Sequence, residues 1–269
     1  MPAAGRARHY LMCRPTHFRV EYAINPWMDP TVPVDVDLAV EQWEDLRRTY
    51  ESLGHRVDLI DPEPLLPDMV FAANGGLVVD GKVLGARFRN AERAGEGPAY
   101  LEWFRRNGFA EAHEPAHVNE GEGDFLVTPR FVLAGTGFRT DHAAHLEAQE
   151  VLGRPVISLQ LVDARYYHLD TALTVLDDDT VAYFPGAFSP GSQAVLHQLF
   201  PDAVIVGAAD AAVLGLNAVS DGRRVVLPSE AMELAVALKE RGYEPVPVHL
   251  SELRKAGGGP KCCTLEIRP

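Results

Sequence analysis

Three cysteines in 269 residues are too few for a disulfide framework, and none of them stands in a Cys-x-x-Cys metal pair. Cys13, Cys262 and Cys263 are therefore expected as free thiols. The chain also lacks any run of Lys or Arg, holding 25 of them against 38 Asp and Glu for a net charge of −13. That balance argues against nucleic acid and anionic membrane as partners. No apolar stretch approaches the roughly 18 residues of a membrane span. The short apolar stretch at residues 10–13 is far too brief for the apolar region of a signal peptide. We expect a soluble, cytoplasmic protein. What the chain does have is a hydrophobic fraction of 46%, enough for a sizeable core and against disorder.

The most informative feature present is an internal repeat. Residues 71–79 form an apolar run followed by the turn Asp80-Gly81-Lys82 and a second run at 83–86. The same strand–turn–strand pattern recurs over 123–135, 169–184 and 216–227. Taking Asn74, Asp124, Asp170 and Asn217 as equivalent points, the steps are 50, 46 and 47 residues. Helical patterns follow over 141–152, 192–199 and 229–241, then third strands at 156–159, 203–206 and 244–248. Each unit thus reads β-β-α-β. One further step from Asn217 lands in residues 262–267, a strand with no hairpin partner after it. The N-terminus supplies the missing elements: a lone strand at 10–13, a helix over 37–53 and a strand at 55–60. Pairing the C-terminal strand with these elements closes a ring, which leaves no exposed sheet edge along the repeat. The expected fold is α/β, a five-bladed pseudo-symmetric propeller of ββαβ units forming a single catalytic domain over residues 1–269.

In such a ring, equivalent loop positions converge on the axis. The residues at or near the marked points are Asn74, Glu120, Glu122, Asp124, His168, Asp170, Asn217, Cys262 and Cys263. A thiol beside an imidazole is an arrangement for nucleophilic catalysis on an electrophilic carbon. Carboxylates around it repel anions and hold a planar guanidinium well. The group points to arginine-like chemistry. Taken singly, Cys262 reads as a small buried hydrophobe and His168 as a core histidine; their shared place in the repeat favours function. The spacing of His142 and His145 suits two metal ligands, but Ala neighbours and the lack of a carboxylate partner favour a solvated helix face.

The motifs Glu120-Gly-Glu-Gly-Asp124, Gly135-Thr-Gly-Phe-Arg-Thr140, His168-Leu-Asp170 and Gly257-Gly-Gly-Pro-Lys-Cys262-Cys263-Thr264 occur in one order along the chain. Through them the sequence resembles the guanidino-group modifying, or pentein, superfamily, and within it the dimethylarginine dimethylaminohydrolase and amidinotransferase-like branch. The resemblance covers almost the whole chain. It implies Cys262 as nucleophile, His168 as general acid and base, and Glu120 as the essential carboxylate, with Glu122 as its alternative. It places Asp170 where the family holds the guanidinium or orients the site, and counts Asp124 and Asn74 among the substrate-binding residues. Arg139, with Arg87 or Arg93, falls at positions that bind the α-carboxylate. Asn74 stands where hydrolases of free arginine and methylarginine usually carry a carboxylate, so a ureido or N-acylated substrate is admitted.

The implied reaction is hydrolysis of a guanidino C–N bond through a covalent thiouronium, giving citrulline and an amine, with no cofactor and no metal. The expected partner is a small guanidino or ureido amino acid, and a homo-oligomer is compatible with the sequence. Amidino transfer to an amine is the alternative enzyme. A non-catalytic binding module of the same fold, as in a ribosome-binding translation factor, is the alternative outside catalysis. The stretch 16–34, rich in Pro and aromatics, reads either as a lid over the pocket or as an ordinary surface loop.

Overall fold

A computed structural model describes residues 5–269; residues 1–4 of the expected domain lie outside the described residues. The chain forms five three-stranded sheets, and all five share one design. β1 (His9–Cys13) runs parallel to β2 (Arg56–Ile60) across the helix Val36–Ser52. β3 (Gly76–Val79) and β4 (Lys82–Gly85) form a hairpin, and β5 (Ala112–His113) returns parallel after the helix Glu96–Arg106. β6 (Phe125–Val127), β7 (Val132–Thr136) and β8 (Val156–Gln160) repeat this around the helix His142–Leu152. β9 (Leu173–Val175), β10 (Val181–Tyr183) and β11 (Val204–Ile205) follow with the helix Pro190–Leu199. β12 (Val219–Ser220), β13 (Arg224–Pro228) and β14 (Glu244–Val248) enclose the helix Met232–Glu240. β15 (Leu265–Glu266) completes the first sheet.

The ring closes as the repeat predicts. β15 pairs antiparallel with β1, placing Tyr10 opposite Glu266 and Leu11 opposite Leu265. The two ends of the chain thus build one ββαβ unit together, the fifth blade. Apolar side chains fill the space between sheets and helices; Leu11, Leu77, Leu133, Leu173 and Leu227 are almost wholly buried. Each such side chain contributes about 1.5–3 kcal/mol of burial. The first strands of successive sheets neighbour one another around the axis. Their N-terminal ends carry the marked polar residues, and all five start at the same end of the ring.

The structure amends several boundaries. The apolar runs at 71–79, 123–127, 169–176 and 216–220 are not strands throughout. The first three open with a tight 3-10 turn, at Ala72–Gly75, Gly121–Gly123 and Leu169–Thr171, and the fourth with hydrogen-bonded turns before β12. These turns swing Asn74, Asp124, Asp170 and Asn217 toward the axis, which a pleated strand would send to alternate faces. The helix expected from residue 192 begins at Pro190, because Ser189 caps it by accepting from the Ser192 N–H. The solvated helix face expected for His142 and His145 holds for only one of them. His142 is exposed, but His145 is buried against Ser158 Oγ (2.8 Å) and the Gly135 carbonyl (3.1 Å). Among the described residues no helix is long and apolar enough to cross a membrane.

Candidate active site

Three turns at the heads of the strands around the axis bring together the groups expected to react; the one before β9 carries His168 and Asp170, and two others complete the set. The first is 120–124, held by Gly121 at φ 52°, where the backbone packs against Ala73 and Gly76 so closely that a side chain has no room. Gly123 is equally required: a Cβ there would collide with the Asn74 amide and stand 3.1 Å from His168 Nδ1. The second is the turn 257–264, which presents Cys262. Its backbone N–H donates to Asn217 Oδ1 (2.9 Å), as does that of Gly259 (3.0 Å). Asn217 thereby holds the loop of Cys262 to the neighbouring blade.

Cys262 is buried and its Sγ is embraced by two groups. Asn217 Nδ2 donates to it at 3.0 Å, and the thiol donates to Asp170 Oδ2 at 3.3 Å. Burial first, and the facing Asp170 second, push the Cys262 thiol well above its usual range. Burial likewise raises Asp170 to about 7, with Lys261 opposing the rise. His168 is fully buried, and its Nε2 lies 2.8 Å from Glu120 Oε2. The same carboxylate oxygen accepts from Arg139 at 2.7 Å, and Glu120 Oε1 accepts from the Arg89 N–H at 3.3 Å. Burial works against ionising Glu120, but Arg139 and His168 outweigh it and hold the carboxyl below its ordinary range. With Nε2 bound to an ionised Glu120, Nδ1 is the nitrogen left to exchange a proton. His168 Nδ1, Asp170 Oδ1 and Asp68 Oδ1 have no hydrogen-bond partner among the described residues. Three buried acid–base atoms without partners at one end of the ring are the mark of a site built for something to enter.

Of the residues expected at this site, Cys262, His168, Glu120, Asp170, Asn74, Arg93 and Arg139 are buried at the pocket. Arg93 donates to Asn74 Oδ1 (2.8 Å) and pairs with Glu96 (2.7 Å); Arg139 stacks over Tyr167 with its guanidinium 4.7 Å from the ring centroid. Three expectations are amended. Arg87 is exposed and donates outward to the Ala116 carbonyl, so it does not reach the pocket. Asp124 spends both oxygens on the Thr140 and Leu169 N–H groups, which makes it a strut beneath His168 rather than a substrate contact. Glu122, the alternative to Glu120, faces the opposite end of the axis. Cys263 shares the apolar cluster of Cys262, Tyr10 and Trp43, but neither Asp170 nor Asn217 bonds its sulfur.

Sequence reasoning passed over Asp68, Tyr22 and Arg89. Asp68 is almost wholly buried, and its Oδ2 accepts from Tyr22 Oη at 2.8 Å and lies 4.0 Å from Arg93 Nε. A signal existed: a lone carboxylate at the head of the apolar run 69–73, six residues before Asn74, has no place in a core without a partner. The stretch 16–34 packs over this end of the ring. The Ile24 carbonyl accepts from Arg139 (3.0 Å), Asn25 donates to the Ala256 carbonyl (3.0 Å), and Trp27 donates to that of Arg165 (2.8 Å). Ile24, Asn25, Arg89 and Tyr167 line a mouth of about 150 Å³. A larger bowl, about 670 Å³, opens at the far ends of the inner strands and touches none of the groups just described except the turn of Cys262, through Lys261. Among the described residues no His, Cys, Asp and Glu side chains gather as metal ligands.

Comparison with known proteins bears on the whole of this architecture. The chain is 59% identical over 264 residues to N(G),N(G)-dimethylarginine dimethylaminohydrolase of Mycobacterium tuberculosis, covering 98% of this chain and 87% of that one. The chain belongs to the dimethylarginine dimethylaminohydrolase family. It is also 38% identical over 263 residues to the bifunctional arginine dihydrolase/ornithine cyclodeaminase ArgZ of Synechocystis, spanning 37% of that longer protein. The crystal structure of the ArgZ N-terminal domain, a cyanobacterial arginine dihydrolase solved as a Cys-to-Ser variant bound to substrate, superposes with a TM-score of 0.94 at 37% identity. That match covers 97% of this chain and 98% of the other. A dimethylarginine dimethylaminohydrolase adduct with 4-chloro-2-hydroxymethylpyridine matches at TM-score 0.80 and 19% identity, covering 97% and 100%, a likeness of fold. No family model matches the chain. Family membership and the five-sheet ring therefore agree with the fold expected from the repeat.

Proposed function

We propose that this chain is a cysteine hydrolase of the guanidino C–N bond of an arginine derivative, dimethylargininase-like, releasing citrulline and an amine. The observation that carries the reading is the meeting of two buried pairs at one end of the axis: Cys262 with Asp170, and His168 with Glu120. A cationic guanidinium seated beside Asp170 relieves the burial cost of that carboxylate and favours transfer of the Cys262 proton to His168 Nδ1. The thiolate attacks the guanidinium carbon, and the C–N bond to the departing amine breaks as His168 delivers a proton to its nitrogen. A planar thiouronium remains on Cys262. His168, now neutral, takes a proton from water, whose oxygen displaces the sulfur and leaves the ureido product. Asn217 donates to the sulfur in its resting place and keeps it in line.

The amino-acid end of the substrate fits the charges around the mouth. Arg139 and Arg93 offer guanidinium donors to an α-carboxylate, and Asp68 Oδ1 offers an acceptor to an α-ammonium. A second reading is favoured by Asn74. A carboxylate in its place would hold a cation alone, whereas an amide both donates and accepts and so suits a neutral ureido group. An enzyme with that freedom can hydrolyse the ureido product again, yielding ornithine, ammonia and carbon dioxide, the arginine dihydrolase outcome. A cytoplasmic single-domain enzyme acting without coenzyme belongs to the same proposal.

The test is a mass-spectrometric turnover screen with dimethylarginine, monomethylarginine, arginine, N-acylarginine and citrulline, each with and without glycine or ornithine as acceptor. Dimethylamine and citrulline formed without acceptor are expected. Consumption of citrulline establishes the second reading; product only with an acceptor makes the chain an amidinotransferase. Silence across all substrates favours the binding module.

A further inference from the structure

The turn 120–124 faces two ways. Glu120 points to His168, while Glu122, two residues on, points along the axis to its other end and is equally buried. There it accepts from Lys261 Nζ (2.7 Å), from the Glu266 N–H (3.1 Å) and from Arg268. Lys261 is the residue before Cys262, and its ammonium also donates to the Thr264 carbonyl at 2.9 Å. One ion pair therefore ties the turn that carries Glu120 to the turn that carries the thiol.

We propose that Lys261 and Glu122 are positioning residues: their ion pair fixes the nucleophile's turn against the Glu120–His168 pair, and the Lys261 charge acts on Asp170 from behind. This rests on the functional reading above. The groups facing Asp170 are Cys262, Cys263 and Lys261 from the nucleophile's turn, Asn217 from the next blade, Tyr167 nearby and Glu122 through the axis. Among these, Lys261 favours the ionised carboxylate and Glu122 disfavours it. The two members of the pair thus share one geometric effect but have opposite electrostatic effects. Burial disfavours the charge on Glu122, yet Arg268 and Lys261 together hold its carboxyl below the usual range, so Glu122 remains ionised at neutral pH.

This opposition gives the test its sign. Both Lys261→Met and Glu122→Gln, checked for folding by circular dichroism, are expected to lower kcat about 10- to 100-fold by misplacing sulfur. KM is expected to stay within about threefold, because neither side chain touches substrate. The acid limb of kcat/KM is expected to move up by about one pH unit in Lys261→Met and down in Glu122→Gln, as the facing charge is removed in each case. Lys261→Arg is expected to restore most of kcat and the original limb. The same shifts are read without turnover by carbon-13 titration of the Asp170 carboxyl, assigned by its loss in Asp170→Asn. Should the wild type turn over no guanidino compound, the functional reading falls while the titration still decides the pair. Unchanged kcat in both variants, or titration midpoints that move together or stay put, overturns the proposal.

Discussion

Glu120 and Glu122 are the same residue type on the same short turn, equally buried, and they differ in everything that matters for chemistry. Glu122 is saturated: Lys261, Arg268 and the Glu266 backbone supply donors to both oxygens. Glu120 stands among atoms that are not saturated, since His168 Nδ1 and Asp170 Oδ1 lack partners among the described residues. The contrast extends to the two ends of the ring. The far bowl is the larger and is rimmed by more charge, yet Arg6, Arg8, Arg154 and Arg268 there are each paired with a carboxylate. The small mouth is lined by Arg139, whose guanidinium pairs with Glu120. Function is marked by unspent hydrogen-bonding capacity at close quarters, more than by cavity size or the number of charges.

The largest expected effect separates the two adjacent thiols, which share burial and an apolar cluster but not polar partners. Cys262→Ser is expected to lower kcat at least about 10⁴-fold, as loss of a nucleophile does. Cys263→Ser is expected to stay within a few-fold and to cost about 1–3 kcal/mol of stability, because a hydroxyl then sits in an apolar cluster. Steady-state kinetics and thermal melts of both variants measure this, and equal loss of activity in the two would erase the distinction. Next, Glu120→Gln is expected to lower kcat about 10²- to 10³-fold by removing the charge that orients and supports His168. The substitution keeps the shape of the side chain, so a near-native rate would show that His168 works without it.

A smaller effect compares the arginines. Arg139→Met is expected to raise KM about 10- to 100-fold, the worth of a charge-assisted contact to the substrate carboxylate. Arg87→Met is expected to leave KM within about twofold, as an exposed side chain away from the pocket. Parallel Michaelis–Menten curves decide between them, and a matching rise in both would return Arg87 to the site.

Much of this arrangement was legible in the sequence because the repeat supplied the third dimension. The steps between Asn74, Asp124, Asp170 and Asn217 placed residues far apart in the chain on one axis, and the leftover strand at each terminus required ring closure. Direction was not legible. Nothing in the spacing of Glu120, Glu122 and Asp124 reveals that a 3-10 turn sends the first to His168, the second to the far end, and the third into two backbone N–H groups. Arg87, Arg89 and Arg93 were indistinguishable for the same reason, since irregular backbone gives no period from which a side chain's face is read. Asp68 was missed because it lies outside the repeated position, in the connection before the first inner strand.

The smallest effect tests the front of the ring by pH. Glu120 is held below the ordinary carboxylate range and stays ionised throughout any practical assay, whereas Asp170 is raised to about 7 by burial. A protonated Asp170 cannot attract a guanidinium, so kcat/KM is expected to fall as pH drops through about 7, approaching tenfold per unit below it. Bound substrate supplies a cation that favours the ionised carboxylate, so the limb in kcat is expected at lower pH than the limb in kcat/KM. Asp170→Asn is expected to remove this limb along with most of the activity, while Glu122→Gln keeps a limb because Asp170 is still present. A pH profile of kcat/KM that is flat from 5 to 8 in the wild-type enzyme would mean that the Asp170 charge is not what the substrate meets. The guanidinium would then be held by neutral donors and acceptors, with Asn74 and Asn217 as the groups that remain at this end of the ring.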